Sequence, residues 1–372
     1  MREKTLQILH VVLILHFFIM IIPNVVIASL DKDKEEYEKS LSMFPILMYD
    51  SDIGVGYGGK AKFVNYLSKR ESFDFIVFNS SKGERWYVFT FSIPDIEIRQ
   101  GKRYPFSFDL RAEYDKYSKY YFYGMGPDSE KENQTTFTFE KKELQLTLGR
   151  GFSQRFVMEG SYVFKSVKYF SVEEDKIFTE RLEEVGEQFS PFVSLVIRYD
   201  TSDSQIHPKK GFRFVFQNDF AAKALGNKNV RYYRYTLDFR KYTLLFGRND
   251  VLAFRTLVQK IEGREIPLFE LSVLGGASTM NAMRGYKLNR FNDKGKFLLN
   301  VEYRFPVWKK LGGNIFVDAG KVWPAWSELN FRNVAVDIGW GLRYYLQNFL
   351  ARFDMGMSEE GVGIYFNFGH IF

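Results

Sequence analysis

The sequence predicts an all-β fold, a sixteen-stranded antiparallel transmembrane β-barrel. Three observations lead there. Apolar and polar residues alternate with period two along most of the chain, the mark of strands with one apolar and one polar face. Connections alternate between long and tight, as in barrels whose turns are short on one side of a membrane and long on the other. Aromatic residues reach 18%, with 39 Phe and 23 Tyr, while charged residues still make up 26%. A chain so rich in both must sort them onto opposite faces.

The chain opens with a net-basic Met1-Arg2-Glu3-Lys4, followed from Thr5 to Leu30 by a run without Asp, Glu, Lys or Arg. A run of that length could cross a bilayer as a helix. Pro23 and Asn24 interrupt it, however, and Val26-Ile27-Ala28 offers the small residue a signal peptidase needs. Residues 1–28 therefore read as a secretory signal peptide cleaved after Ala28, with an uncleaved membrane anchor as the alternative. Residues 29–43, around "DKDKEEYEKS", read as a short charged periplasmic lead-in with no apolar face to bury. Residues 44–372 are expected to form one barrel, with no second domain.

Within it, "PFSFDLRAEYD" sets Phe106, Phe108, Leu110, Ala112 and Tyr114 against Ser107, Asp109, Arg111, Glu113 and Asp115. "FVSLVIRYD", "GFRFVFQND" and "KFLLNVEYRFPV" alternate in the same way. Strands are expected near 44–50, 53–66, 72–81, 84–95, 103–115, 134–150, 152–170 and 188–200. The other eight lie near 211–222, 229–246, 249–263, 297–308, 312–323, 333–346, 348–357 and 361–372. Long connections are 116–133, 171–187 and 264–296; tight ones are Gly151, 247–248, 309–311 and Gln347. With both ends in the periplasm, the long loops all fall outside the cell. A soluble sandwich would also alternate. Full charges in mid-strand and aromatic residues at strand ends (Trp308, Trp323, Trp326, Tyr344, Tyr345) favour a wet lumen and lipid-facing girdles.

Several functions are disfavoured. Cysteine is absent, so disulfides and thiolate metal sites are excluded. The formal charge of +7 is spread through strands and interleaved with acids, which speaks against nucleic acid. Only His207 and His370 lie outside the leader, neither beside a recognisable nucleophile, so no catalytic residue is assigned and an enzyme is not expected. "GVGYGG" at 54–59 lies in an alternating strand with no following helix, and is not a phosphate loop. Asp200 and Asp203 precede Pro208-Lys209-Lys210-Gly211, so turn stabilisation is preferred to a cation site. No metal and no cofactor are expected.

Four fragments occur in order: "YDTSDSQIHPKKGFRFVFQNDF", "GGASTMNAMRGYKLNRF", "FLLNVEYRFPV" and "NIFVDAGKVW". Together they resemble the barrel of the BamA/TamA superfamily, the bacterial surface antigen family of outer-membrane insertases and translocases. The resemblance covers about residues 44–372 and is strongest after 188. It implies that an arginine at the tip of the sixth external loop folds into the lumen and meets acids on the wall. The matching positions are Arg284, Gly285 and Tyr286, with Met283 where the family usually has valine. The implied partners are Glu302 and Asp318, and alternation independently puts both on polar faces. A planar guanidinium can satisfy two carboxylates at once. An exposed, solvated loop charge is the plainer alternative.

The last strand, "GIYFNFGHIF", sets Ile364, Phe366, Phe368 and Phe372 on one face; Phe368 and Phe372 resemble a C-terminal signal for barrel insertion. That implies outer-membrane lipid and the outer-membrane assembly machinery as partners, at the bacterial outer membrane. Family members carry POTRA domains ahead of the barrel, and between Ala28 and Phe44 there is no room for one. A periplasmic partner supplying substrate capture is therefore expected. The resemblance implies help with inserting or translocating polypeptide or lipid. A small-solute pore and a non-transporting surface or scaffold barrel are the alternatives. Pro45 in a short first strand and Gly361, Gly363 and Gly369 in the last predict a weak seam.

Overall fold

The computed structural model describes residues 38–170, 187–227, 230–245, 249–346 and 350–372. The leader and most of the lead-in lie outside the described residues. The strands are β1 (Ser40–Asp50), β2 (Gly54–Val64), β3 (Ser72–Ser80), β4 (Arg85–Ile93), β5 (Tyr104–Phe122), β6 (Thr135–Gly151) and β7 (Phe156–Phe170). There follow β8 (Glu187–Phe189), β9 (Phe192–Asp200), β10 (Gly211–Ala221), β11 (Arg231–Leu245), β12 (Asp250–Arg264), β13 (Ser272–Leu274) and β14 (Phe291–Asp293). The chain ends with β15 (Gly295–Trp308), β16 (Leu311–Trp323), β17 (Ala335–Tyr345), β18 (Leu350–Ser358) and β19 (Gly361–Phe368).

All but β13 and β14 join one antiparallel sheet that closes on itself through β1 and β19. The pieces β8 and β9 both pair with β7 and form one stave broken at Ser190-Pro191, so the barrel has sixteen staves.

Charges face inward and rings outward. On β17, Asp337 and Arg343 are buried while Val336, Ile338, Trp340, Leu342 and Tyr344 are exposed. On β16, Ile315 and Val317 are exposed beside buried Asn314, Phe316 and Asp318. A sheet in water would bury the opposite set. This arrangement suits lipid outside and a polar interior.

Some boundaries differ from the sequence expectation. The fifth stave runs on to Phe122, because a bulge between Tyr117 and Tyr120 breaks the alternation that marks it. Beyond the bulge, inward positions become aromatic. Phe122, Phe137, Phe139 and Val167 form a buried cluster covered by Leu268 and Phe269 of the long segment after β12.

The first strand is not short. It begins at Ser40 and pairs with β2 along its whole length, from Ser40–Val64 to Asp50–Gly54, with Pro45 opposite Gly59. The glycines of β19 do not weaken its inner partner either, since Gly361 and Gly363 both pair with β18. The weak place lies between the two ends. β1 and β19 are in register only at Tyr49–Phe366 and Asp50–Tyr365, with Ser51 donating to the Ile364 carbonyl at 3.1 Å. Below that the ladder stops, and β19 itself ends at Phe368, opposite Leu47 in the extended register.

The last strand also stops early. At Gly369 the backbone takes φ +76° and leaves the ladder. Ile364, Phe366 and Phe368 remain exposed on one face, but Phe372 does not share it. Ile371 and Phe372 turn inward and pack with Tyr242, Val251, Ala277 and Ala282.

The aromatic cluster gives a direct test of packing inside the barrel. Phe137, with its ring 5.0 Å from Tyr120 and 5.4 Å from Tyr169, is almost wholly enclosed. Phe137→Ala is expected to cost about 3–5 kcal/mol of folding free energy. The outward, exposed Phe164→Ala should cost much less when both are unfolded by urea in detergent.

Candidate functional site at Arg284

The segment between β12 and β15 packs against the inner faces of β15 to β18. Its path is fixed stepwise. Glu270 is buried between Lys165 at 2.9 Å and Arg234 at 2.7 Å. A short ladder between β13 and β14 follows, and a bridge joins Gly276 to Met283. Lys296 donates to the Met280 carbonyl at 2.9 Å and to Asn281 Oδ1 at 2.8 Å, while Arg255 donates to the Thr279 carbonyl. Met283 then buries its side chain among Leu257, Leu274, Leu298 and Val322. A flexible, unbranched thioether fills that gap.

Arg284 comes next and is sealed from solvent. Its Nε and Nη2 reach Asp318 Oδ2 and Oδ1 at 2.8 and 2.9 Å, a two-pronged pair. Nη1 donates to Glu302 Oε1 at 2.6 Å and lies 3.5 Å from Asp354 Oδ2. The Phe316 ring lies 3.4 Å from the guanidinium carbon, against its flat face. Asn300 ties this pair to the segment's backbone, donating to Asp318 Oδ1 at 2.8 Å and to the Ala282 carbonyl at 2.9 Å. Burial alone would push the guanidinium down, but Asp318 and then Glu302 outweigh it and hold Arg284 well above its ordinary value.

Further cations surround the acids. Arg304 Nε meets Glu302 Oε2 at 2.8 Å, and Arg343 Nη2 meets Asp354 Oδ1 at 2.8 Å. Arg352 Nε stands 3.4 Å from Asp354. Asp337 faces Asp318 directly across β16 and β17. A buried network of this kind is costly to break at one member.

Glycine makes the close approach possible. A Cβ on Gly363 would stand 2.3 Å from the Arg284 carbonyl oxygen, and one on Gly356 would stand 2.4 Å from its carbonyl carbon. A Cβ on Gly285 would meet the Asp337 Cβ at 2.6 Å. Gly356 and Gly363 leave a flat floor on β18 and β19 on which the segment's backbone rests, and Gly285 brings that backbone close to Asp337 on β17. The Gly285 carbonyl then accepts from Ser358 Oγ at 2.7 Å. Tyr286 is buried edge-on against Phe291 at 5.3 Å, and its hydroxyl donates to the Val336 carbonyl at 3.4 Å.

The structure thus brings Arg284, Gly285, Tyr286, Glu302 and Asp318 together. Phe368 and Phe372 lie elsewhere and part from each other, one outward and one inward. Sequence reasoning missed Asp354, Asp337, Arg343, Gly356 and Gly363. Alternation does place Asp354 and Asp337 on polar faces, but many charges share those faces. The two glycines carry no periodic signal at all. Asp203 and Asp200 stabilise their turn: Asp203 Oδ1 accepts from the Lys209 and Lys210 amides at 2.8 and 3.1 Å, and Asp200 Oδ1 accepts from the Ser202 amide at 2.9 Å. His207 and His370 meet edge-on, their rings 6.0 Å apart.

Arg284→Ala is expected to lower folding free energy by roughly 3–5 kcal/mol, since it strands Glu302 and Asp318 without their shared cation. Arg284→Lys restores the charge without the fork and should recover only part of the loss in thermal unfolding. A pH effect follows from His370, which lies beyond the last strand. Burial, and then Arg304 and Arg343, holds its imidazole well below the ordinary value of 6.5, so it is neutral when folded. The unfolded chain gains a proton as pH falls through that value, so stability is full above about 6.5 and declines below it. Denaturant titrations from pH 7.5 to 5 should show this decline, and His370→Gln should reduce it to the part left by His207, where burial also pushes the imidazole below its ordinary value.

Comparison with known proteins gives a consistent picture. The Omp85 superfamily domain matches residues 74–372. None of the curated proteins matches the sequence. Among solved structures, the chain is similar to BamA from Haemophilus ducreyi lacking POTRA domains 1–3, with TM-score 0.67 and 13% identity. That alignment covers 89% of this chain and 70% of the other. CdiB from Acinetobacter baumannii aligns with TM-score 0.56 and 12% identity, over 90% of this chain and 66% of that one. CdiB from Escherichia coli gives TM-score 0.62 and 10% identity, over 90% and 67%. At these identities the likeness is one of fold, and the fold is consistent with the bacterial outer membrane. With the domain match spanning most of the barrel, the chain belongs to the Omp85 superfamily.

Proposed function

We propose that this barrel assists the insertion or translocation of polypeptide or lipid at the outer membrane, acting through the seam between β1 and β19. One observation carries the reading. The seam is in register only at Tyr49–Phe366 and Asp50–Tyr365, whereas β1 and β19 each pair fully with their other neighbours. A barrel built to be inert in lipid should satisfy every backbone group at its closure. The stretch of β1 before Leu47, which has no β19 residue opposite it, can accept an incoming strand, as a sheet edge does in β-augmentation. The buried Arg284 segment crosses the interior and supports this reading over a wide solute pore.

The remaining assignments follow from that role. Residues 1–28 serve as an export signal and the residues from 29 up to the start of β1 at Ser40 as a periplasmic lead-in to the barrel, which takes up the rest of the chain. Both barrel ends then face the periplasm, where a partner supplies substrate capture. Arg284-Gly285-Tyr286 acts as an internal brace on Glu302 and Asp318. Phe368 is part of the signal by which assembly machinery receives the barrel, and Phe372 joins it before it turns inward.

A disulfide tests the seam. Extending the register from Tyr49–Phe366 pairs Leu47 with Phe368, both exposed on the same outward face. In this cysteine-free chain, L47C/F368C should form one bridge that closes the parted edges. Cells carrying the oxidised variant should lose the protein's effect on outer-membrane protein content or lipid asymmetry, and reduction should restore it. Unchanged function in the locked barrel, together with altered solute flux on Arg284→Ala, would establish the pore instead.

A further inference from the structure

A second site lies away from the Arg284 network, at the end of the barrel where β9 turns into β10 and where β19 ends. A cavity of about 350 Å³ opens there, and Arg213, Arg240, Ser202, Ser204, Thr279 and His370 lie along its wall. Arg213 and Arg240 stand directly opposite each other on β10 and β11, and Arg240 stands directly opposite Arg255 on β12. Like charges in register across a sheet repel, so three arginines in a row call for anions. Among the described residues these are too few. Asp238 is divided between Arg240 and Arg255, at 2.7 Å from each. The carboxylate assigned to Arg213 is Asp200, 3.5 Å from its Nε, and Asp200 already accepts from Ser202 and Gln205. Arg213 Nε is buried without a hydrogen bond, and so is His370 Nδ1.

We propose that this cavity binds a phosphate-type anion, with the Arg213 and Arg240 guanidiniums as its main ligands. The forked donors of arginine match the paired oxygens of a phosphate, and the hydroxyls of Ser204 and Thr279 provide neutral donors around them. A cation is disfavoured there, because Arg213 and Arg240 line the cavity and no Asp or Glu is among its described lining residues. Thr279 belongs to the segment that carries Arg284, and its carbonyl is held by Arg255. An anion in the cavity therefore touches the wall, the segment and the Gly369–Phe372 tail at once. The site lies where the edge of β19 ends, so its phosphate could belong to a lipid headgroup or to a free anion. The assignment does not depend on whether the seam opens.

Equilibrium dialysis of the purified full chain against radiolabelled inorganic phosphate, with chloride held at equal ionic strength, tests the soluble form. Nanodiscs of phosphatidylcholine doped with phosphatidylglycerol, followed by mass spectrometry of retained lipid, test the headgroup form. Saturable binding in either arm is expected, weakened at least tenfold by Arg213→Gln and severalfold by Arg213→Lys. Arg332→Gln, in an exposed loop remote from the cavity, should leave it unchanged. Binding of free phosphate identifies a soluble anion, and retention of phosphatidylglycerol alone identifies a lipid headgroup. Heat-modifiable gel mobility checks assembly. If Arg213→Gln does not assemble, Arg213→Lys and Thr279→Val decide in its place. Absence of saturable binding in both arms, or binding indifferent to these substitutions, overturns the proposal.

Discussion

A guanidinium sealed from water holds only where carboxylates are fixed around it, and much of this barrel's interior is arranged to meet that demand for Arg284. Two oxygens of Asp318 and one of Glu302 take its fork, and Phe316 covers its face. Those acids in turn need Arg304, Asn300 and the neighbouring arginines, which extends the network across four strands. The backbone reaches this depth because Gly356 and Gly363 offer no side chains there. Removing any one part leaves charge without a partner in a confined space.

The outer surface obeys a different rule. Lipid requires only that backbone groups be paired and that side chains be apolar, so the outward positions are interchangeable rings and branched chains. The seam is the exception. There the ladder covers little of either edge, and Met43, Phe44 and Leu47 stand exposed along the parted stretch of β1. Specific chemistry is thus concentrated inside the barrel and at one line on its wall.

Sequence alone made the architecture legible because alternation is a period-two signal repeated many times, and each strand supports its neighbours' assignment. It failed where that period is broken. The bulge at Tyr117 and Tyr120 disguised the end of β5 as loop, and Gly369 turned a continuous-looking strand inward before Phe372. The site was legible in the residues a motif names, Arg284, Glu302 and Asp318. Asp354 was hidden among equivalent polar positions, and Gly356 and Gly363 act by what they lack. Arg213, Arg240 and Arg255 at the second cavity lie on three successive strands, and only their register makes them neighbours.

The inward tail has a bearing on how the barrel comes into being. Ile371 and Phe372 lie against Tyr242, Val251 and Ala282, and Arg304 donates to the Phe372 carbonyl at 3.1 Å. These contacts join the end of the chain to strands and a segment formed much earlier in sequence. Pairings so distant are slow, because the loops they close are long. The tail can lodge only once β11, β12 and the Ala282 region are already in place. Filling this part of the interior therefore waits on the wall, and the Gly369–Phe372 stretch lodges against strands that have already formed.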